Sequence, residues 1–318
     1  MPMTPAAKAQ LQIHFCVLLW GFTAILGKLI TLPALPLVWW RMVLVVVALA
    51  LVPRVWRGLR AMSARVMLAY CGIGALVALH WLTFYGSIKL SNASVGATCM
   101  ALATVFTALV EPWLAGTRFY KRELILGVAV LPGVALVVGG VPADMRLGIA
   151  VGALSALFVA LFGSLNKRMV EHGDALTVTA LELGAGALTL TLLAPLMPAI
   201  FPAFAGDLFV MPSTSDALYL LALAMVCTLL PFTLSLVALR HMNAFAAQMA
   251  VNMEPVYAIL LAIVLLGEQH ELTTQFYLGV VIILAAVFAQ PLLNRLANRH
   301  PVEHPEVLGT SEAKHIAE

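Results

Sequence analysis

Ten long apolar runs follow one another through this chain with only short polar gaps between them. Their approximate limits are Leu11–Ile30, Leu37–Val52, Val66–Tyr85, Ala93–Leu114, Leu124–Val141, Leu147–Leu165, Ala175–Met197, Ala217–Leu239, Ala244–Leu266 and Phe276–Leu293. A run of about 17 to 25 apolar residues can cross the hydrocarbon layer as a helix that satisfies its own backbone hydrogen bonds. Apolar residues make up 62% of the chain and charged residues 10%, and the mean hydropathy is +1.00. So little polar surface leaves no room for a soluble domain. The pattern predicts an all-α integral membrane protein whose chemistry lies between its helices. Breaker residues punctuate the gaps, among them Pro33, Pro36, Pro142 and Pro212.

The basic residues give an orientation. With the N-terminus in the cytoplasm, thirteen Lys and Arg flank the cytoplasmic ends of the runs, from Lys8 to Arg299, and three (Lys28, Lys89, Arg146) flank the other ends. The positive-inside rule then places both termini in the cytoplasm, which needs an even number of spans. The first run is long enough to span and is followed by no small-residue cleavage site, so it reads as a retained helix. The four cysteines fall inside apolar runs and read as inert thiols. The polar tail, 294–318, reads as a disordered cytoplasmic segment.

The chain also resembles itself. Lys89-Leu90-Ser91-Asn92-Ala93 matches Arg240-His241-Met242-Asn243-Ala244 at an offset of 151, which also pairs Val105 with Val256, Leu109 with Leu260 and Gly116 with Gly267. Residues 11–141 and 147–293 thus form two five-helix repeats. Because five is odd, the second repeat enters the membrane inverted. Inverted repeats are a device of secondary transporters, in which a site at mid-depth opens alternately to the two sides.

Leu19-Trp20-Gly21 with Lys28, then Arg41, then Glu254-Pro255-Val256 through Leu266-Gly267-Glu268 carry a family resemblance. The chain resembles the drug/metabolite transporter superfamily, specifically its EamA-type permeases, over residues 11 to 293. The first repeat departs from the pattern, with Gly116-Thr117 where Gly-Glu is expected. The resemblance implies a ten-helix carrier of small metabolites such as amino acids or drugs.

Ionisable residues inside lipid are costly, at roughly 2.5 to 3.5 kcal/mol near the bilayer centre, and so mark candidate sites. Glu254 has about ten residues of its run on either side and falls on a row with Ala250, Ala258 and Ala262. It is read as a protonatable coupling group or as a neutral acid bonding a neighbouring helix. Pro255 beside it loosens the helix. Arg41, near the outer end of its run, reads as a snorkelling side chain with a structural or gating role. Glu182 is its counterpart in the second repeat, and Lys28 completes the coupling or gating set. Trp20 at mid-depth, His80, Trp81, Tyr85 and Thr98 are candidate cavity residues. Gln248 and Asn252 form an i, i+4 pair on a face of the ninth helix away from Glu254; one face lines the cavity and the other packs. Gly148, Gly152, Ala156, Ala160 and Ser164 form a small-residue packing seam.

Gly21 to Lys28 lacks the spacing of a phosphate loop, and neither nucleophile-elbow nor zinc-protease motifs occur. The expectation is therefore no enzyme, no metal and no cofactor. The partners are a small neutral, zwitterionic or amphipathic substrate, protons as coupling ion, and the bilayer, with no nucleic acid. The expected setting is the inner (plasma) membrane and the expected direction export. A non-transporting scaffold or sensor is the competing class. Oligomeric state is not legible.

Overall fold

The computed structural model describes residues 4–297, apart from the side chains at 122, 123, 126, 287, 288 and 290–297. The tail expectation therefore lies outside the described residues from 298 onward. Helices make up the described chain, which contains no strand. They are α1 (Pro5–Leu29), α2 (Ala34–Ala50), α3 (Pro53–Ala61), α4 (Ala64–Leu90), α5 (Ala93–Cys99), α6 (Leu102–Leu114), α7 (Lys121–Val128) and α8 (Leu131–Gly139). After a short connection come α9 (Arg146–Met169), α10 (Ala175–Leu193), α11 (Met197–Ile200), α12 (Thr214–Ala224), α13 (Leu230–Leu239), α14 (Ala244–Val251), α15 (Glu254–Leu266) and α16 (Thr274–Ala297).

Seven helical segments among the described residues are long and apolar enough to cross a membrane: Pro5–Leu29, Ala64–Leu90, Ala93–Leu114, Ala143–His172, Ala175–Ile200, Thr214–Leu239 and Ala244–Leu266. Of the other three expected spans, two are shorter or interrupted. α2 has 17 residues and meets α3 at a bend of 92°. The fifth run is split into α7 and α8, with Pro132, which has no N–H to donate, in the first turn of α8. The last expected span corresponds to α16, a continuous helix of 24 residues.

Two of the long segments are broken at matching places. Met100 and Ala101 separate α5 from α6, and Asn252 and Met253 separate α14 from α15. Both breaks close in i→i+3 turns, with Ala101 N donating to Thr98 O at 3.1 Å and Met253 N to Ala250 O at 3.0 Å. The flanks match too. Asn92 accepts from Val95 N and Asn243 from Ala246 N, so each asparagine caps the helix after it. Gly116 and Gly267 close the two segments at φ 71°, the only positive-φ residues among those described. The offset of 151 thus joins residues with the same backbone work.

The packing does not follow the repeats. α4 packs against α9 and α10, α1 against α13 and α15, α6 against α9, and α8 against α16. Every one of these contacts joins the first half of the chain to the second, and one buried cluster runs through both halves. The two repeats are units of sequence but not of packing. In lipid, helices gain little by hiding apolar surface from their equally apolar surroundings, so close approach at small residues holds them. A Cβ on Gly133 would lie 2.6 Å from Gly279 O, and one on Gly279 would lie 2.5 Å from Gly133 O. α8 and α16 therefore cross reciprocally at their glycines. The expected seam of α9 is buried along its length, with Gly148 against Ser91 and Gly152 against Cys99.

Candidate functional site

A cavity of about 120 Å³ opens among α1, α2, α4, α9, α13, α14 and α15. That is far more than a single water needs, at about 10–15 Å³ by the same measure. Trp20, Arg41, His80, Trp81, Phe84, Phe162, Asn166, Phe232, Gln248 and Glu254 are among its lining residues. It runs from the middle of the bundle, at Arg41 and Glu254, to Ile13, Leu239 and Ala244 at the end where α1 begins. The opposite end is tied across the two halves. Thr31 N and Oγ1 donate to the Asp216 carboxylate at 2.8 and 2.6 Å and Phe204 lies against Gly86, while within the first half Lys89 Nζ donates to Ile30 O.

Arg41 corrects the expectation of a snorkelling side chain. It is 2% exposed and reaches inward, because the bundle offers it acceptors for three of its five N–H groups. Nη1 donates to Tyr85 Oη at 2.9 Å, Nε to Thr228 Oγ1 at 2.5 Å, and Nη2 lies 3.5 Å from Cys227 O. Its guanidinium sits 3.8 Å from the centre of the Trp81 ring, a cation–π contact. Residues Met225–Leu229, between α12 and α13, form a π-helical turn. That wider turn presents Thr228, which itself donates to Leu223 O, to the guanidinium.

Glu254 opens α15 and is 6% exposed. Its carboxyl faces the cavity, and no hydrogen bond or ion pair holds it among the described residues. The positive end of the α15 dipole lies behind it. α1 comes close at Gly21, where an added Cβ would lie 2.6 Å from Tyr257 Cβ and 3.6 Å from the backbone N of Ala258, the next residue of the Glu254 row. His80 Nδ1 lies 2.8 Å from Ser155 Oγ, and Ser155 Oγ donates to His80 O, also at 2.8 Å. The imidazole is thus fixed between α4 and α9, with the Phe162 ring 5.4 Å away.

The model of the EamA-like transporter family matches the chain twice, over residues 8–139 and 146–289. The chain belongs to that family. The match covers both halves and makes the protein a membrane transporter with a small-molecule substrate, not a scaffold or sensor. No curated protein matches it. A solved structure described only as "Crystal structure of protein" superposes with a TM-score of 0.63 at 17% identity, over 91% of this chain and 98% of that one. At that identity the likeness is one of fold.

In this EamA-like transporter the residues singled out from the sequence separate into two groups. Trp20, His80, Trp81, Gln248, Arg41 and Glu254 line the cavity. Tyr85, Thr98, Asn252, Pro255, Lys28 and Glu182 do not. Tyr85 is fully buried beneath Arg41. Thr98 donates back to Ser94 O at 2.7 Å. Pro255 is buried, and Lys28 is exposed at the end of α1. Glu182 lies behind Asn166, which lines the cavity in front of it.

The i, i+4 pair on the ninth run is also split. Gln248 faces the cavity, whereas Asn252 Nδ2 donates to Thr104 Oγ1 of α6 at 2.5 Å. The break at Asn252 and Met253 resets the helical register, so Gln248 and Glu254 both line the cavity although an unbroken helix would set them on different faces. The Asn252–Thr104 bond ties the second break to the first turn of α6, just after the first break.

Sequence reasoning missed Glu111 and gave Glu268 no work. The Glu111 carboxylate accepts from Ala244 N at 2.9 Å and Phe245 N at 2.7 Å. The Glu268 carboxylate accepts from Ala93 N and Ser94 N at 3.0 Å each, and from Ser94 Oγ at 2.6 Å. Each broken segment therefore ends in a carboxylate that caps the start of the other. Glu111 is six positions before Thr117, where the repeat pattern lacks its Glu, and it supplies the missing cap. The signal was a carboxyl beside a proline, Glu111-Pro112, inside an apolar run.

Proposed function

We propose that this transporter works by alternating access and couples export of a small neutral, zwitterionic or amphipathic organic molecule, such as an amino acid, to proton entry. The observation that carries this reading is Glu254: a carboxyl in the cavity, at a helix break, with no protein group bonded to it among the described residues. Broken helices meeting at mid-depth supply a site where irregular backbone is tolerated and movable. A carboxyl free of structural bonds can accept a proton from one side and release it to the other. The aromatic lining suits an apolar body, while the free donors of Arg41 and the Glu254 carboxyl suit the two ends of a zwitterion. Sugar phosphates would call for more cations than Arg41.

The topology that goes with this reading has ten spans in two inverted five-helix repeats, 11–141 and 147–293, with both termini in the cytoplasm of a cell bounded by the plasma membrane. The basic residues support it, since Arg54, Arg57 and Arg60 lie on α3 at the end of the bundle where the cavity opens. The cavity is then open to the cytoplasm. Proteoliposome transport of the Glu254→Gln variant is the test. It should retain substrate exchange and lose uphill movement driven by a pH gradient. Wild-type concentrating power with unchanged pH dependence would refute the coupling role.

A further inference from the structure

Glu182 is a buried carboxyl that the mechanism above does not use. It is 0% exposed, in the middle of α10. Its Oε2 accepts one hydrogen bond, from Asn166 Nδ2 at 3.3 Å. Its Oε1 has no partner, and neither does Asn166 Oδ1. Two acceptor oxygens of one bonded pair are therefore left over together, each an expensive orphan in a buried place.

The charged groups nearby do not support an ionised carboxyl. On α4, the Tyr70 hydroxyl is committed to Met169 O at 2.6 Å. On α9, Lys167 donates to Leu239 O, and beyond α13 Arg240 donates to Gly173 O. Arg41 on α2 is held by Tyr85 and Thr228. Arg54 on α3 pairs with Asp174 at the start of α10, at 2.6 Å. Thr233 of α13 faces Thr179 rather than the carboxyl. Glu171, in the turn between α9 and α10, is an acid and would oppose a negative charge.

One proton satisfies both orphans. Placed on Oε1, it makes that oxygen a donor, and Asn166 Oδ1 is the acceptor left in the same pair. With Oε1 turned to Oδ1, acid and amide would close a ring of two hydrogen bonds, the first of them the observed Nδ2–Oε2 bond. We propose that Glu182 is a second proton-binding site of the transporter, closed by Asn166 and opened when the amide of Asn166 turns into the cavity. Asn166 lines that cavity, so a substrate that recruits its amide takes away the carboxyl's partner. The proton then passes from Oε1 to a water in the cavity, leaving a carboxylate and a hydronium. The protonated pair follows from hydrogen-bond chemistry alone; its release during transport rests on the proton-coupled reading above.

Infrared difference spectroscopy of the purified protein in lipid tests the pair. Wild type should show a neutral carboxyl band at neutral pH that disappears in Glu182→Gln and persists in Glu254→Gln. Gln keeps the ring as an amide pair, so Glu182→Gln should fold normally. A carboxyl band unchanged in Glu182→Gln would overturn the protonated pair. Proton-to-substrate ratios in proteoliposomes test the release, with one proton fewer expected for Glu182→Gln than for wild type. Equal ratios would overturn the release while leaving Glu254 coupling intact. Loss of the Glu254 reading would show separately, as an uncoupling-resistant Glu254→Gln variant with the Glu182 band still present.

Discussion

Glu268→Ala should be among the most destabilising single changes in this protein. The carboxylate is 1% exposed and accepts two backbone N–H groups and one hydroxyl. Alanine leaves the amides of Ala93 and Ser94 buried at the start of α5, and each unsatisfied group costs about 1–3 kcal/mol. The Ser94 hydroxyl can turn to another acceptor, so the expected loss is about 4 kcal/mol. Glu268→Gln keeps one acceptor oxygen and loses the charge at the helix N-terminus, for about 2 kcal/mol. Glu111→Ala also strands two amides and should lose about 4 kcal/mol as well. Equilibrium unfolding in mixed micelles, followed by tryptophan fluorescence, measures each. Because Ser94→Ala removes a partner of the same carboxylate, its effect should be less than additive with Glu268→Ala. A Glu268→Ala protein within about 1 kcal/mol of wild type would refute the reciprocal caps as the tie between the broken helices.

Arg41→Lys should lower the transport rate at least about tenfold. A lysine ammonium cannot reach Thr228 and Tyr85 together while stacking on Trp81, and one lost charge-assisted bond of about 1.4 kcal/mol or more corresponds to that factor. Rates equal to wild type in reconstituted vesicles would count against an organising role for the guanidinium. Asn252→Leu should slow transport, and Thr104→Val should do so to a similar extent, because both cut the bond between the second break and α6. The double variant should then be no slower than either single one; fully additive losses would mean that the two residues act independently.

Glycine and asparagine punctuation was legible because it acts through local backbone geometry. Asn92 and Asn243 cap helices with their own side chains, and Gly116 and Gly267 turn the chain left-handed, so equal residues at an offset of 151 do equal work. Glu254 was legible as a charge in lipid, since insertion cost depends on depth along the run more than on neighbours. The fate of Arg41 was not legible. Sequence distance to the run's end suggested an escape to the interface, but Thr228 and Tyr85, 187 and 44 residues away, gave it better partners inside. The split of Gln248 from Asn252 was hidden for a different reason: helical spacing assumes an unbroken helix, and the break at Asn252 and Met253 is stabilised in part by Thr104 of another segment.

The sequence by itself thus determined that the chain lives in a membrane, that it is built twice, and that Glu254 carries an acid into lipid, because apolar length, repeat spacing and local caps are properties of neighbours along the chain. The tertiary structure alone decided that the halves interlock as one bundle, that Glu111 stands in for the missing acid at Thr117, and that Asn166 stands between Glu182 and the cavity. Those outcomes depend on which helices can approach at their glycines and on which buried donors find acceptors, and both are settled by contacts between residues far apart in the chain.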